Sequence, residues 1–254
     1  MNKAWEQNIF LPSHMQDELV QFCGTIEETE GDNLVTIVLY GSAVKGGYNE
    51  HTSDINVLLV LQDVSIQVLD RLAEPIHYAA QEFGIAVMVS EPKDLNRSTD
   101  VFPIKFRDIQ LNHVILVGED VLEPLQIDET HLRLRCEQEF KNLMWRMRYF
   151  YLHRKHRPEL IEATILSVFS NLLMATETLL YLQTGQHLNT KEKIIEQAVK
   201  ELDYPKALLK KLMALQQTKL KPKAEELKEM YEDLMQLVAF AADLADRFEP
   251  DEEE

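Results

Sequence analysis

The spacing of apolar residues divides the chain into two halves of different character. In the first half, short β-branched runs alternate with amphipathic stretches, and these periods predict helices over 13–29 and 65–83. Ser13 followed by Gln16 predicts a capping box at the start of the first helix. Residues 94–110 match neither the helical nor the strand period clearly. The same reading predicts four strands, Leu34–Tyr40, Ile55–Leu61, Ile85–Ser90 and 113–117.

In the second half, from residue 129 onward, glycine is nearly absent and long amphipathic segments predict a helical bundle. The apolar stripe of the last segment is typical of bundle core. The predicted fold class is α+β, a small mixed-sheet domain over 1–125 followed by an all-helical bundle over 126–249 and an acidic tail over 250–254. The predicted helices are 129–154, 158–184, 190–202, 205–217 and 222–248.

One stretch carries the candidate chemistry, because the first predicted strand ends in Gly41-Ser42 and Asp54-Ile55-Asn56 opens the second. A glycine lets the backbone approach a phosphate closely, and Ser42 with its neighbouring amides can donate hydrogen bonds to an anion. Residues two apart on a strand face the same side, so Asp54 and Asn56 aim at one point, as metal ligands must. Lys45 is either a phosphate contact or an exposed lysine. The alternative is a generic turn whose Asp54 caps a strand end.

These residues resemble the signature of the DNA polymerase beta-like nucleotidyltransferases, which reads Gly-Ser, a loop, then Asp-x-Asp opening a strand. The resemblance implies a protein that binds a nucleoside triphosphate with magnesium and, if active, transfers a nucleoside monophosphate to a hydroxyl of a small molecule or protein. It implies nucleotide binding by Gly41, Ser42, Lys45 and Asp54. It also implies Asp54 as the main metal ligand and Asn56 as a weak one.

The chain departs from the family pattern at the metal ligands. Asn56 stands where the family has a second acid, and Ala86 or Met88 occupies the expected place of the third. Glu91 at the strand end, or Asp100 further on, could substitute for it only through a different geometry. Lys105 also stands where such relatives have an acidic residue. No general base is evident, so the catalytic residues stay unassigned. The alternative function is therefore an inactive homologue that serves as a nucleotide sensor or a protein-interaction module.

A second resemblance covers the end of the first half and the start of the bundle. Residues 100–110, 113–122 and 131–140 look like bacterial nucleotidyltransferase-domain proteins, in which a Phe-Pro segment and a Gly-Glu-Asp strand end precede a helical region. The bundle is similar to the helical domains of minimal nucleotidyltransferases, including the HEPN class. Arg148 and His153 fit the spacing of HEPN ribonucleases, but the interpretation we favour is the cationic, solvated end of a long helix.

The composition and charge of the chain limit the classes of partner that we expect it to bind. The formal net charge of −17 argues against an extended nucleic-acid surface. We expect no membrane span and no signal sequence. We also expect Cys23 and Cys136 to be free, buried thiols of a protein in the reducing cytoplasm. Tyr48 and His51 on the signature loop are either nucleobase contacts or surface residues. The apolar stripe of the last predicted helix packs either against other helices of the same chain or against a second copy in a homodimer.

Overall fold

The computed structural model describes residues 9–50, 53–217 and 219–248. The prediction for His51 and the predicted acidic tail at the C-terminus lie outside these described residues. The chain divides into two compact units, Met1–Ile127 and Asp128–Glu254.

The first unit is built on a four-stranded mixed sheet of β1 (Leu34–Tyr40), β2 (Ile55–Leu61), β3 (Ile85–Ser90) and β4 (His113–Gly118). The spatial order of the strands is β3-β2-β1-β4. The central strand β1 runs antiparallel to both β2 and β4, and β3 lies parallel to β2. The apolar, β-branched composition suits strands that are covered on both faces.

Helices cover both faces of this sheet and create two apolar layers. One layer joins the inner faces of α1 and α3 to alternate strand residues, and Leu19, Ile26 and Ile37 in it are fully buried. Burying a side chain of this size contributes roughly 1.5–3 kcal/mol. The opposite layer joins α4 and α5 to the other strand faces through Leu95, Phe106 and Ile109. The helices of this unit are α1 (Ser13–Glu30), α2 (Ser42–Lys45), α3 (Ile66–Phe83), α4 (Pro92–Ser98) and α5 (Pro103–Leu111), with a 3-10 turn at Gly31–Asn33.

A buried ion pair fixes α1 against α3. The Glu30 carboxylate is fully buried and accepts hydrogen bonds from Arg71 Nε at 3.1 Å and Nη2 at 2.9 Å. Asn33 Nδ2 donates a third bond to it at 2.7 Å. A buried carboxylate is tolerated only when its oxygens are satisfied in this way.

The structure corrects one prediction in this unit and assigns helices to the stretch that matched neither period. The capping box does not form, because Pro12 occupies the cap position and Gln16 Nε2 instead donates to the Leu11 carbonyl at 2.8 Å. The stretch 94–110 contains parts of two short helices, each opened by a proline in its first turn, Pro92 and Pro103.

The second unit is entirely helical among its described residues. Helices α6, α7 and α10 pack against one another. The predicted α10 stripe is largely core, with Leu234, Val238 and Ala241 fully buried. The buried Tyr231 hydroxyl donates to the Met147 carbonyl of α6 at 2.6 Å. The helices are α6 (Glu129–Arg154), α7 (Pro158–Thr184), α8 (Lys191–Glu201), α9 (Lys206–Gln216) and α10 (Ala224–Arg247).

Helix α7 bears on the expectation that the chain has no membrane span, which stays a prediction. Over Pro158–Thr184 it is long and apolar enough to cross a membrane by length and composition, and 56% of its most apolar window is buried inside the protein. Core helices of bundles pass the same test, so this feature alone is weak evidence for a span.

Candidate functional site

The candidate site lies at one end of the sheet, where a row of four side chains crosses all four strands. Asn56 pairs with Ala86 on one side and with Tyr40 on the other, and Tyr40 pairs with His113. Directly paired residues share a face of the sheet. The row therefore reads Ala86, Asn56, Tyr40, His113 on the face that α5 covers, and the row between Asn56 and His113 is polar.

The turn that follows β1 passes directly over this row. Gly41 has φ 81° and ψ −145°, a conformation that side chains rarely adopt. A Cβ placed on Gly41 would lie 3.0 Å from Asn56 Nδ2. The Gly41 carbonyl accepts bonds from the amides of Val44 and Lys45 at 3.1 Å, which closes the single turn of α2. The predicted residues Gly41 and Asn56 are thus brought into contact.

Asp54 is exposed, immediately precedes β2 and lies close to Tyr48. Asn56 Nδ2 donates to the Asp54 carbonyl at 3.4 Å, so the Asn56 amide spans the space between this backbone and the glycine turn. Burial raises the pKa of the Tyr48 phenol, and the negative charges of Glu50 and Asp54 raise it further. Tyr48 therefore stays a neutral hydroxyl beside Asp54.

Lys45 is the cation of the turn, and it forms an ion pair with Asp108 of α5. Asp108 also accepts a bond from Asn112 Nδ2 at 3.2 Å. The sequence did not predict a role for Asp108, since 63 residues separate it from Lys45. Ser42 begins α2, but a helix of four residues adds little dipole to its hydroxyl.

A carboxylate–imidazole pair lies at the β4 end of the row. His113 Nε2 meets Asp120 Oδ2 at 3.1 Å, and His113 Nδ1 meets the Gln110 carbonyl at 2.9 Å. Burial acts to raise the pKa of Asp120, but bonds from the Leu122 and Glu123 amides and from His113 outweigh it and lower the pKa. Asp120 is therefore held as an anion. The sequence reading assigned it no role.

The residues at the expected metal position do not fit a resident divalent cation. Asp54 supplies one carboxylate and Asn56 a neutral amide, while Ala86 and Met88 offer no oxygen ligand. Lys105 Nζ lies 3.1 Å from Met88 Sδ, which brings a positive charge to the place of the third acid. Across residues 9–50, 53–217 and 219–248, no group of three or more His, Cys, Asp or Glu side chains could hold a metal ion.

The side chains of Arg148 and His153 in the bundle do not face a common site. Arg148 lines an open groove of about 480 Å³ between α6 and α10, together with Tyr151 and Tyr231. His153 instead stacks on Tyr149, with ring centroids 4.2 Å apart, and its Nδ1 meets the Tyr149 carbonyl at 2.8 Å. Five residues of helix turn the two side chains roughly 140° apart. This arrangement favours the cationic helix end over a ribonuclease site.

Comparison with known proteins identifies the fold. No family model matches the chain, and no curated protein matches it either. Among solved structures, a spectinomycin adenyltransferase from Enterococcus faecialis, crystallised with ATP and spectinomycin, matches with a TM-score of 0.56 at 12% sequence identity. The match covers 90% of this chain and 100% of that chain. The chain therefore has a nucleotidyltransferase-like fold, with a small mixed-sheet unit and a helical region.

Proposed function

We propose that this protein binds a nucleoside triphosphate at the end of the sheet, and that it acts as a nucleotide-responsive module rather than as an efficient transferase. The contact between Gly41 and Asn56 carries the proposal, because it brings a side-chain-free backbone turn against the start of β2. Lys45 borders the same turn and supplies a cation for phosphate once it leaves Asp108.

The reason to separate binding from transfer is the loss of acids. Transfer at the α-phosphate requires charge stabilisation at the attacking and leaving oxygens, which two metal ions normally supply. Here Asp54 is the one carboxylate of the expected ligand positions, since Asn56, Ala86 and Met88 fill the others. Magnesium that arrives chelated by the nucleotide would meet Asp54 with weak support from Asn56.

A second candidate function is transfer of a nucleoside monophosphate to a hydroxyl of a small molecule or protein. The fold likeness to an adenyltransferase crystallised with a nucleotide and an acceptor favours it, because the likeness spans 90% of this chain. Under either function we propose that the helical region is a HEPN-like bundle and that the protein is cytoplasmic. The buried, free Cys23 and Cys136 support a reducing compartment. Homodimerisation and the absence of a nucleic-acid or membrane partner remain predictions.

Thermal unfolding with ATP, GTP, CTP and UTP, each with magnesium or with EDTA, tests the proposal. A ligand that binds only the folded protein stabilises it, by about 2.7 kcal/mol at a hundredfold excess over Kd. We expect one nucleotide to raise the Tm, and Gly41→Ala to abolish that rise. Gly24→Ala is the matched control, because Gly24 lies within α1 and a Cβ added there would meet open space.

The same samples distinguish the two functions. Incubation of α-labelled nucleotide with magnesium and candidate acceptors would leave the label in free nucleotide if the protein only binds. Label incorporated into an acceptor, and lost in Asp54→Asn, would establish transfer instead. No Tm change with any nucleotide at millimolar concentration would refute nucleotide binding altogether.

A further inference from the structure

We propose, resting on the nucleotide-binding function above, that Lys105 replaces the divalent cation of this site. In this reading the triphosphate is held by an ammonium group of the protein, and magnesium is unnecessary for binding. The ligand class is accordingly a metal-free nucleoside triphosphate.

The position of Lys105 follows from the register of the sheet. Met88 lies two residues along β3 from Ala86, so both side chains point to the face that α5 covers, about 6.6 Å apart. Ala86 is in turn the direct neighbour of Asn56. Lys105 Nζ, at 3.1 Å from Met88 Sδ, therefore lies beside the part of the row where a third carboxylate would hold metal.

The surroundings of Lys105 leave its charge available. A thioether sulfur is a weak acceptor and satisfies an ammonium group poorly. Within the described part of the chain, Lys105 makes no ion pair with a carboxylate, whereas Lys45 is paired with Asp108 and Lys93 with Glu91. Lys105 is exposed, so a phosphate group can reach its ammonium without moving buried side chains.

The side chain at position 86 of β3 is small and uncharged. Ala86 has a methyl group where an acid would carry two oxygens, so no carboxylate at this position competes with phosphate for the Lys105 ammonium. An ammonium at this place repels a divalent cation and attracts an anion. Magnesium also neutralises part of the triphosphate charge, so it weakens the attraction that Lys105 exerts. Free nucleotide should thus bind more tightly than its magnesium complex.

Calorimetric titration of the full-length protein with ATP, in EDTA and in excess magnesium, tests this inference. We expect a Kd in EDTA at least as low as the Kd in magnesium. Lys105→Met keeps the aliphatic volume and should raise the Kd in EDTA by about tenfold to a hundredfold, the effect of losing one hydrogen bond to a charged group. Lys93→Met is the matched control, because it removes an exposed cation of the same unit, and it should leave the Kd unchanged.

Two further results complete the test. Lys105→Glu places an acid where the family has one, so binding should fall in EDTA and become dependent on magnesium. Titration with inorganic tripolyphosphate should show the same effect of Lys105→Met, which assigns the contact to the phosphates. Wild-type binding that requires magnesium, or a Kd in EDTA that Lys105→Met leaves unchanged, would overturn the inference while nucleotide binding stands. No binding in either buffer would remove both proposals.

Discussion

Gly41→Ala is the substitution whose effect the structure defines most sharply. At φ 81° and ψ −145° a non-glycine residue carries backbone strain of about 1–3 kcal/mol. The added Cβ would also lie 3.0 Å from Asn56 Nδ2, closer than side-chain atoms normally pack, while its 3.7 Å distance from Asn56 Cγ is an ordinary van der Waals contact. Relief of such a contact costs about 1 kcal/mol more. We therefore expect Gly41→Ala to lower the free energy of unfolding by about 2–4 kcal/mol in total, which leaves a domain of ordinary stability folded.

Urea denaturation followed by far-UV circular dichroism measures this loss, provided that the slope m is unchanged between variants. Gly24→Ala serves as the control, since it should stabilise helix α1 by about 0.5–1 kcal/mol. Asn56→Ala in the Gly41→Ala background removes the contact but not the strained dihedral angles. The double variant should regain only the contact part, about 1 kcal/mol. A Gly41→Ala protein as stable as the wild type would refute the geometry of this turn.

Two further predictions concern the charges of the site. Asp120→Asn should lower the free energy of unfolding by about 1 kcal/mol near pH 7. Because the folded-state pKa of Asp120 is lowered, its contribution is present above the ordinary carboxyl pKa of 3.8 and disappears as pH falls through the lower folded value; equal wild-type and variant stability at pH 7 in urea titrations would contradict this. Asn56→Asp should increase magnesium-dependent ATP binding only when Lys105→Met or Lys105→Glu is also present, as calorimetry of the single and double variants would show. A full gain from Asn56→Asp alone would mean that Lys105 does not oppose metal.

Local signals explain why most of the fold could be predicted from the sequence. The β-branched runs gave the strand bounds of β1, β2 and β3, because strands buried on both faces are continuously apolar. The predicted ends of α3 and α7 are each followed by a glycine, Gly84 and Gly185, and both adopt the left-handed conformation that a helix end favours. These features depend on residues close in sequence, so periodicity and end signals suffice for them.

The missing parts of the site depend on contacts between residues distant in sequence. The helices α4 and α5 have seven and nine residues, too few turns for a clear apolar period. Once their placement is unknown, nothing in the sequence brings Asp108 to Lys45 or Lys105 to Met88. The signature predicted the residues of the turn and of β2, and the metal-ligand roles of Asp54 and Asn56 remain predictions.

The nature of the substituting cation also explains why binding and transfer should separate in this protein. Only interactions that are stronger in the transition state than in the ground state accelerate a reaction. A metal ion held by several carboxylates is fixed where charge develops, but the Lys105 ammonium sits on a flexible four-carbon stem. It can follow the phosphates in the bound nucleotide and in a transition state about equally well, so it lowers Kd without raising the rate. The lysine that makes metal unnecessary for binding is therefore also a reason for transfer to be slow.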